Sequence, residues 1–150
     1  MYNTICMLLI IAGAAIRVVL CWVNPAGNAY DDFFEPVFLL LREGAIPSKN
    51  ACWECFQPPV FYIISAAIAK LFFSIGSDLN IVAVALTWLN CIFGTTTLLL
   101  IYRILPYLPL SNISKVLALS FVCFLPRHIY MSAMFTNDAL VIFFSVACVW

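Results

Sequence analysis

Five apolar runs, broken by short polar stretches, organise the chain. They cover about residues 5–23, 59–75, 80–102, 113–131 and 137–150. A helix needs about 20 mostly apolar residues to cross a bilayer core, and these runs approach that length. Arg17 is the one charge in the first run. Pro58-Pro59 opens the second, where a missing N–H costs nothing at a helix start. The fourth run is clearest over Ile113–Leu125 and extends towards Met131. The fifth begins at Asn137 or Asp138 and continues to Trp150. A chain that stops inside an apolar run is expected to be part of a longer protein, truncated at its C-terminal side. The start does not read as a cleaved signal, because no basic residue precedes Ile5 and the run is long enough to span.

One long polar stretch, residues 24–58, separates the first two runs. Inside it, Pro36–Glu43 predicts a short amphipathic helix at the membrane surface, with Pro36 at its first position and Gly44 ending it. The expected fold is therefore all-α, a multi-pass transmembrane module with a long first outer loop.

Composition strengthens this reading. The chain is 65% hydrophobic and 9% charged, with a mean hydropathy of +1.08. A water-soluble domain carries about 25% charged residues. Net charge is zero, which argues against nucleic acid as a partner. Charge also bears on orientation. The polar stretch holds Asp31, Asp32, Glu35, Glu43 and Glu54, together with Cys52 and Cys55. An acidic loop with paired cysteines favours the outer, oxidising side. Arg103 and Lys115 would then flank an outer connection, against the positive-inside preference.

Three groups of residues could carry chemistry. Asp31-Asp32 follows the first run. Adjacent carboxylates at a membrane edge repel each other, which suits a general base; helix capping or plain solvation is the simpler alternative. Cys52-Trp53-Glu54-Cys55 precedes Gln57-Pro58-Pro59. A zinc site needs four ligands, and His128 is the only histidine. That leaves a loop disulfide or two free thiols. The third group is Pro126-Arg127-His128 with Thr136-Asn137-Asp138. Charged residues near spans tend to face a cavity or a partner. The alternatives are capping by Asn137 or Asp138 and snorkelling by Arg127. Arg17 could snorkel to the surface that carries Asp31, and Asn90 reads as an interhelix hydrogen bond.

The order of these pieces resembles a known family. Tyr30-Asp31-Asp32-Phe33, then Leu41-Arg42-Glu43-Gly44-Ala45-Ile46-Pro47, then Gln57-Pro58-Pro59-Val60-Phe61-Tyr62 is similar to the N-terminal part of the GT-C glycosyltransferases. The branch is that of the protein mannosyltransferases and the aminoarabinose lipid A transferases. Thr136-Asn137-Asp138 resembles a later acidic motif of that branch. Asp32 replaces the family's usual Glu, and Gln57 stands where His or Lys is commoner. The resemblance implies a polyprenyl-phosphate sugar as donor and an inverting transfer to a protein, lipid or glycan on the non-cytoplasmic side. It gives Asp31 and Asp32 the catalytic role, and Gln57, Tyr62, Arg127 and Asp138 substrate contacts. A cation must neutralise the donor phosphate; Arg127 and Arg17 are the candidates, and a divalent metal ion is an alternative. The setting would be the inner membrane of a prokaryote or the endoplasmic reticulum of a eukaryote, with membrane lipids as neighbours. Two rival functions come from other classes. A transporter or channel would use Arg127 and Asp138 in a pathway, and a membrane assembly subunit would keep the scaffold without the chemistry.

Overall fold

The computed structural model of the chain describes residues 2–25, 27–28 and 32–150. All regular structure among them is helical: α1 Tyr2–Val23, α2 Phe34–Glu43, α3 Val60–Ser74, α4 Leu79–Ile104, α5 Asn112–Phe124, α6 Pro126–Ser132 and α7 Asp138–Ala147. A 3-10 turn, Leu105–Tyr107, extends α4. Among the described residues two helices, α1 and α4 with its 3-10 turn, are long and apolar enough to cross a membrane, and the bent pair α5–α6 makes a third if it is one broken span.

Local sequence explains most boundaries. Asp78 caps α4 by accepting from the Ile81 N–H at 2.8 Å, and Ser111 caps α5 by accepting from Ser114 at 3.1 Å. Each satisfies one of the amide groups that a helix start leaves unpaired. Gly44 ends α2 in the left-handed region, φ 67°, with its N–H donated to the Leu40 carbonyl. The same helix begins at Phe34, so Pro36 sits inside its first turn; the helix is one turn-fragment longer than the proline position predicts. Nor is it a free surface helix. Val37 is buried with Phe33, Phe61 and Tyr62, joining α2 to α3.

The fourth apolar run is divided. α5 and α6 meet at Leu125–Pro126 with a bend of 49°. Pro126 has no N–H to continue the α5 ladder, and its ring clashes with the preceding turn. The fifth run contributes a helix of only 10 residues. Between α6 and α7, residues 133–137 form no helix, yet all five are buried.

α4 is the axis of the fold. Gly13 of α1 faces Leu98, and a Cβ there would lie 3.1 Å from the Leu98 Cδ1 and from the Cys123 Cβ. Cys21 of α1 packs with Cys91 of α4. Rising numbers in α1 meet falling numbers in α4, so the two helices are antiparallel. Along the other flank, Gly13 meets Cys123, Arg17 meets His128 and Asn24 meets Ala133. α1 is therefore parallel to the α5–α6 pair. The first half of α4 packs on α2 and α3 through Val82 and Leu86.

Antiparallel helices cross a bilayer in opposite senses. A bilayer crossed by both α1 and α4 has the end of α1 and the start of α4 on one side. Residues 24–78, α3 included, then enter and leave on that side. A full second crossing over 59–75 would instead make α1 and α4 parallel. α3 has 15 residues, about 22 Å at 1.5 Å per residue, against a core of about 30 Å.

Candidate functional site

The buried link 133–137 is where the polar motifs converge. Its backbone lies outside any helix, so its carbonyls need partners. Asn90 supplies them from the middle of α4: its Nδ2 donates to the Met134 and Thr136 carbonyls, each at 2.6 Å. Asn24, just past α1, donates to the Ala133 carbonyl at 2.8 Å. Phe135 is fully buried, stacked on Phe34 at 4.3 Å and beside Phe61 at 5.0 Å between ring centroids. Polar clamps and aromatic packing thus fix the segment from opposite sides.

Asn137 ends this segment at the cap position of α7, but its side chain makes no cap bond. The Asp138 N–H is met by the Thr136 Oγ1 at 3.3 Å instead. The Asn137 amide turns away and donates through Nδ2 to the Oε1 of Gln57. Gln57 in turn donates through Nε2 to the Glu54 carboxylate. Tyr62, one turn into α3, donates its hydroxyl to the Glu54 backbone carbonyl at 3.5 Å. Glu54 is 3% exposed and lies between Cys52 and Cys55, which are joined as a disulfide across a Cα–Cα distance of 5.1 Å. The amide N–H of Cys55 returns to the Cys52 carbonyl, and that of Gln57 to the Glu54 carbonyl. These turns fold the loop tightly and hold its acidic side chain inward.

Two depressions flank the Gln57–Asn137 contact. On one side an apolar groove of about 500 Å³ runs between the start of α3 and the length of α7, with Asn137 among its walls. On the other a smaller cleft of about 190 Å³ is lined by Lys49, Gln57 and Tyr62. The contact is a polar bridge between an apolar channel and a cleft that carries a cation.

The other sequence candidates fall in three places. Asp31 lies outside the described residues, as does Tyr30, so the leading catalytic position has no geometry here. Asp32 is exposed. Arg127 and Asp138 pair at 3.6 Å, with side chains 67% and 43% exposed; a pair this open contributes about 0–1 kcal/mol. Arg17 corrects the snorkelling expectation. It is fully buried and turned to the α5–α6 bend, where it donates to the carbonyls of Gly13 and Cys123 and to the Nδ1 of His128. Among the described residues it is no surface cation for a phosphate. Lys49, which the motif reasoning passed over, stands at the cleft in its place.

Glu54 was also passed over in the sequence. Its signal was there, in that a carboxylate enclosed by two cysteines three residues apart is held by their bond. Among the described residues no three His, Cys, Asp or Glu side chains come together as a metal site.

No protein-family model, no curated protein and no solved structure matches the chain.

Proposed function

We propose that the chain is part of a membrane glycosyltransferase that moves a sugar from a polyprenyl-phosphate donor to an acceptor outside the cytoplasm. The observation that supports this best is the hydrogen bond between Asn137 and Gln57, 80 residues apart, at the end of the α3–α7 groove. These two residues come from two of the four motifs that carry the family resemblance. A lipid-linked donor needs an apolar channel for its chain and polar groups at one end for its phosphate and sugar. The groove, the amide pair and Lys49 offer these chemistries side by side. In the reaction the acceptor hydroxyl attacks the anomeric carbon as the bond to the phosphate oxygen breaks. The base, Asp31 by its motif position, takes the hydroxyl proton, and the polyprenyl phosphate leaves with inversion at the sugar. Gln57 and Asn137 orient the donor, Lys49 faces the phosphate charge, and Tyr62 fixes the loop beneath them.

The test is transfer of radiolabel from a panel of polyprenyl-phosphate sugars to water-soluble or protein-bound products, using the full chain in proteoliposomes. Transfer that Asp31→Asn abolishes supports the reading. Transfer that a well-inserted Asp31→Asn protein retains sinks the assignment of the base.

A second reading has its own support. The bend at Pro126 and the buried non-helical link 133–137 are the discontinuous elements that transporters use to line a pathway. Solute-dependent flux in the same proteoliposomes, without transfer, would favour it.

A further inference from the structure

We propose that Glu54 is the positioning residue of this site: its carboxylate, held inward by the Cys52–Cys55 disulfide, sets the direction of the Gln57–Asn137 amide chain. The proposal rests on the reading that Gln57 and Asn137 contact the substrate.

An amide side chain can present either its oxygen or its NH₂ group to a neighbour, whereas an ionised carboxylate only accepts. Glu54 therefore forces Gln57 to turn its Nε2 inward. The Gln57 Oε1 is then left to accept, and it takes the Asn137 Nδ2. Asn137 lines the α3–α7 groove; beyond its bond to Gln57 it has its Oδ1 and the second N–H of its Nδ2 to meet a ligand. The chain of donors thus runs from Asn137 through Gln57 to Glu54, which fixes the end of each amide that faces its neighbour. Without Glu54, both amides could turn over and that fixed direction would be lost.

The disulfide is the independent part of this arrangement. Glu54 lies within the ring that Cys52 and Cys55 close, its backbone carbonyl receives the Tyr62 hydroxyl, and its side chain is buried. Reduction by a dithiol breaks the S–S bond to two thiols as the reductant closes its own disulfide, and the loop is then free to release Glu54.

Gln57 is the only glutamine in the chain, which makes the test direct. The 150-residue chain carrying ¹⁵N only in the glutamine side chain gives one NH₂ pair by NMR in detergent micelles. One proton of that pair should be displaced downfield by the carboxylate. Glu54→Met should abolish the displacement, Glu54→Asp should restore part of it, and dithiothreitol added to the folded wild-type sample should remove it reversibly. Asn137→Ala should leave that proton displaced, because the carboxylate bond remains. A displaced proton that survives Glu54→Met overturns the assignment. A displacement lost in Glu54→Met but kept on full reduction overturns the role of the disulfide. Should Glu54→Met fail to fold, reduction of the wild type and Glu54→Asp still decide. The signal needs no donor or acceptor sugar, so an inactive protein with the expected spectrum counts against the transferase reading alone.

Discussion

The guanidinium of Arg17 and the imidazole of His128, 111 residues apart, meet at 2.7 Å in the interior of the helix bundle. Arginine only donates, so His128 accepts through Nδ1 and carries its proton on Nε2. That second nitrogen has no hydrogen-bond partner among the described residues. Val122 is the residue whose carbonyl Pro126 leaves without its helical N–H, and Arg17 takes the neighbouring Cys123 carbonyl at 3.0 Å. Arg17 thus satisfies one carbonyl at the bend and holds His128 beside it. Arg17→Met should leave His128 and the Cys123 carbonyl unpaired and destabilise the chain by about 1–3 kcal/mol for each buried group left unsatisfied. Arg17→Leu with His128→Leu should cost less than the sum of the single changes, because both partners leave together. Thermal unfolding in a fixed detergent reads both; additive losses would contradict the pairing.

The link 133–137 depends on Asn90. Asn90→Leu removes both bonds to the Met134 and Thr136 carbonyls in a region water does not reach. An expected loss of about 2–5 kcal/mol follows from two unsatisfied carbonyls. Hydrogen exchange should rise first at 133–140, well before α1. Exchange that rises evenly along the chain would show that Asn90 does not act on this link.

Gly94 sits against Ser132, where any Cβ would overlap the serine side chain. Gly94→Ala should therefore destabilise by about 1–3 kcal/mol through overpacking. Adding Ser132→Gly should recover part of that loss, since the two residues share one contact. A double variant no more stable than Gly94→Ala would mean the crossing of α4 and α6 lies elsewhere.

The antiparallel packing of α1 and α4 makes a topological prediction. With Cys148 replaced by alanine, single cysteines at Ser48 and at Ser77 should be reached by an impermeant thiol reagent from the same side of sealed vesicles. A layout in which α3 makes a full crossing puts them on opposite sides. Reaction of one position in sealed vesicles and of the other only after permeabilisation would reject the same-side arrangement.

Under the transferase reading, Gln57→Ala and Asn137→Ala should each lower kcat/KM by roughly 10- to 150-fold, the cost of about 1.4–3 kcal/mol of lost transition-state stabilisation. The double variant should lose little more than either alone, because the two amides act as one hydrogen-bonded unit. Asp31→Asn should lose about 10²–10⁴-fold as a missing base. Independent, multiplying effects at Gln57 and Asn137 would show that their bond has no part in turnover.

The sequence determined what each segment could be. Apolar runs made helices over 2–23 and 79–104, because backbone polar groups in apolar surroundings must be satisfied locally. Gly44 stopped α2 because its left-handed backbone angle favours glycine. Cys52 and Cys55, three positions apart, were visible as one unit. What the sequence could not reveal depended on which residues meet across long separations. Pro126 announced a bend, but not that Arg17 would fill it, because the same arginine at a helix end could equally have reached for water. Asn137 looked like a helix cap, and only the approach of Gln57 drew its side chain away. Glu54 looked like one acid among five in a polar loop. It became the buried centre of the site because the cysteine ring and the start of α3 enclosed it. The sense of α1 against α4 was likewise decided in three dimensions: hydropathy records how apolar a helix is, and only the meetings of Gly13 with Leu98 and of Cys21 with Cys91 show which way it runs.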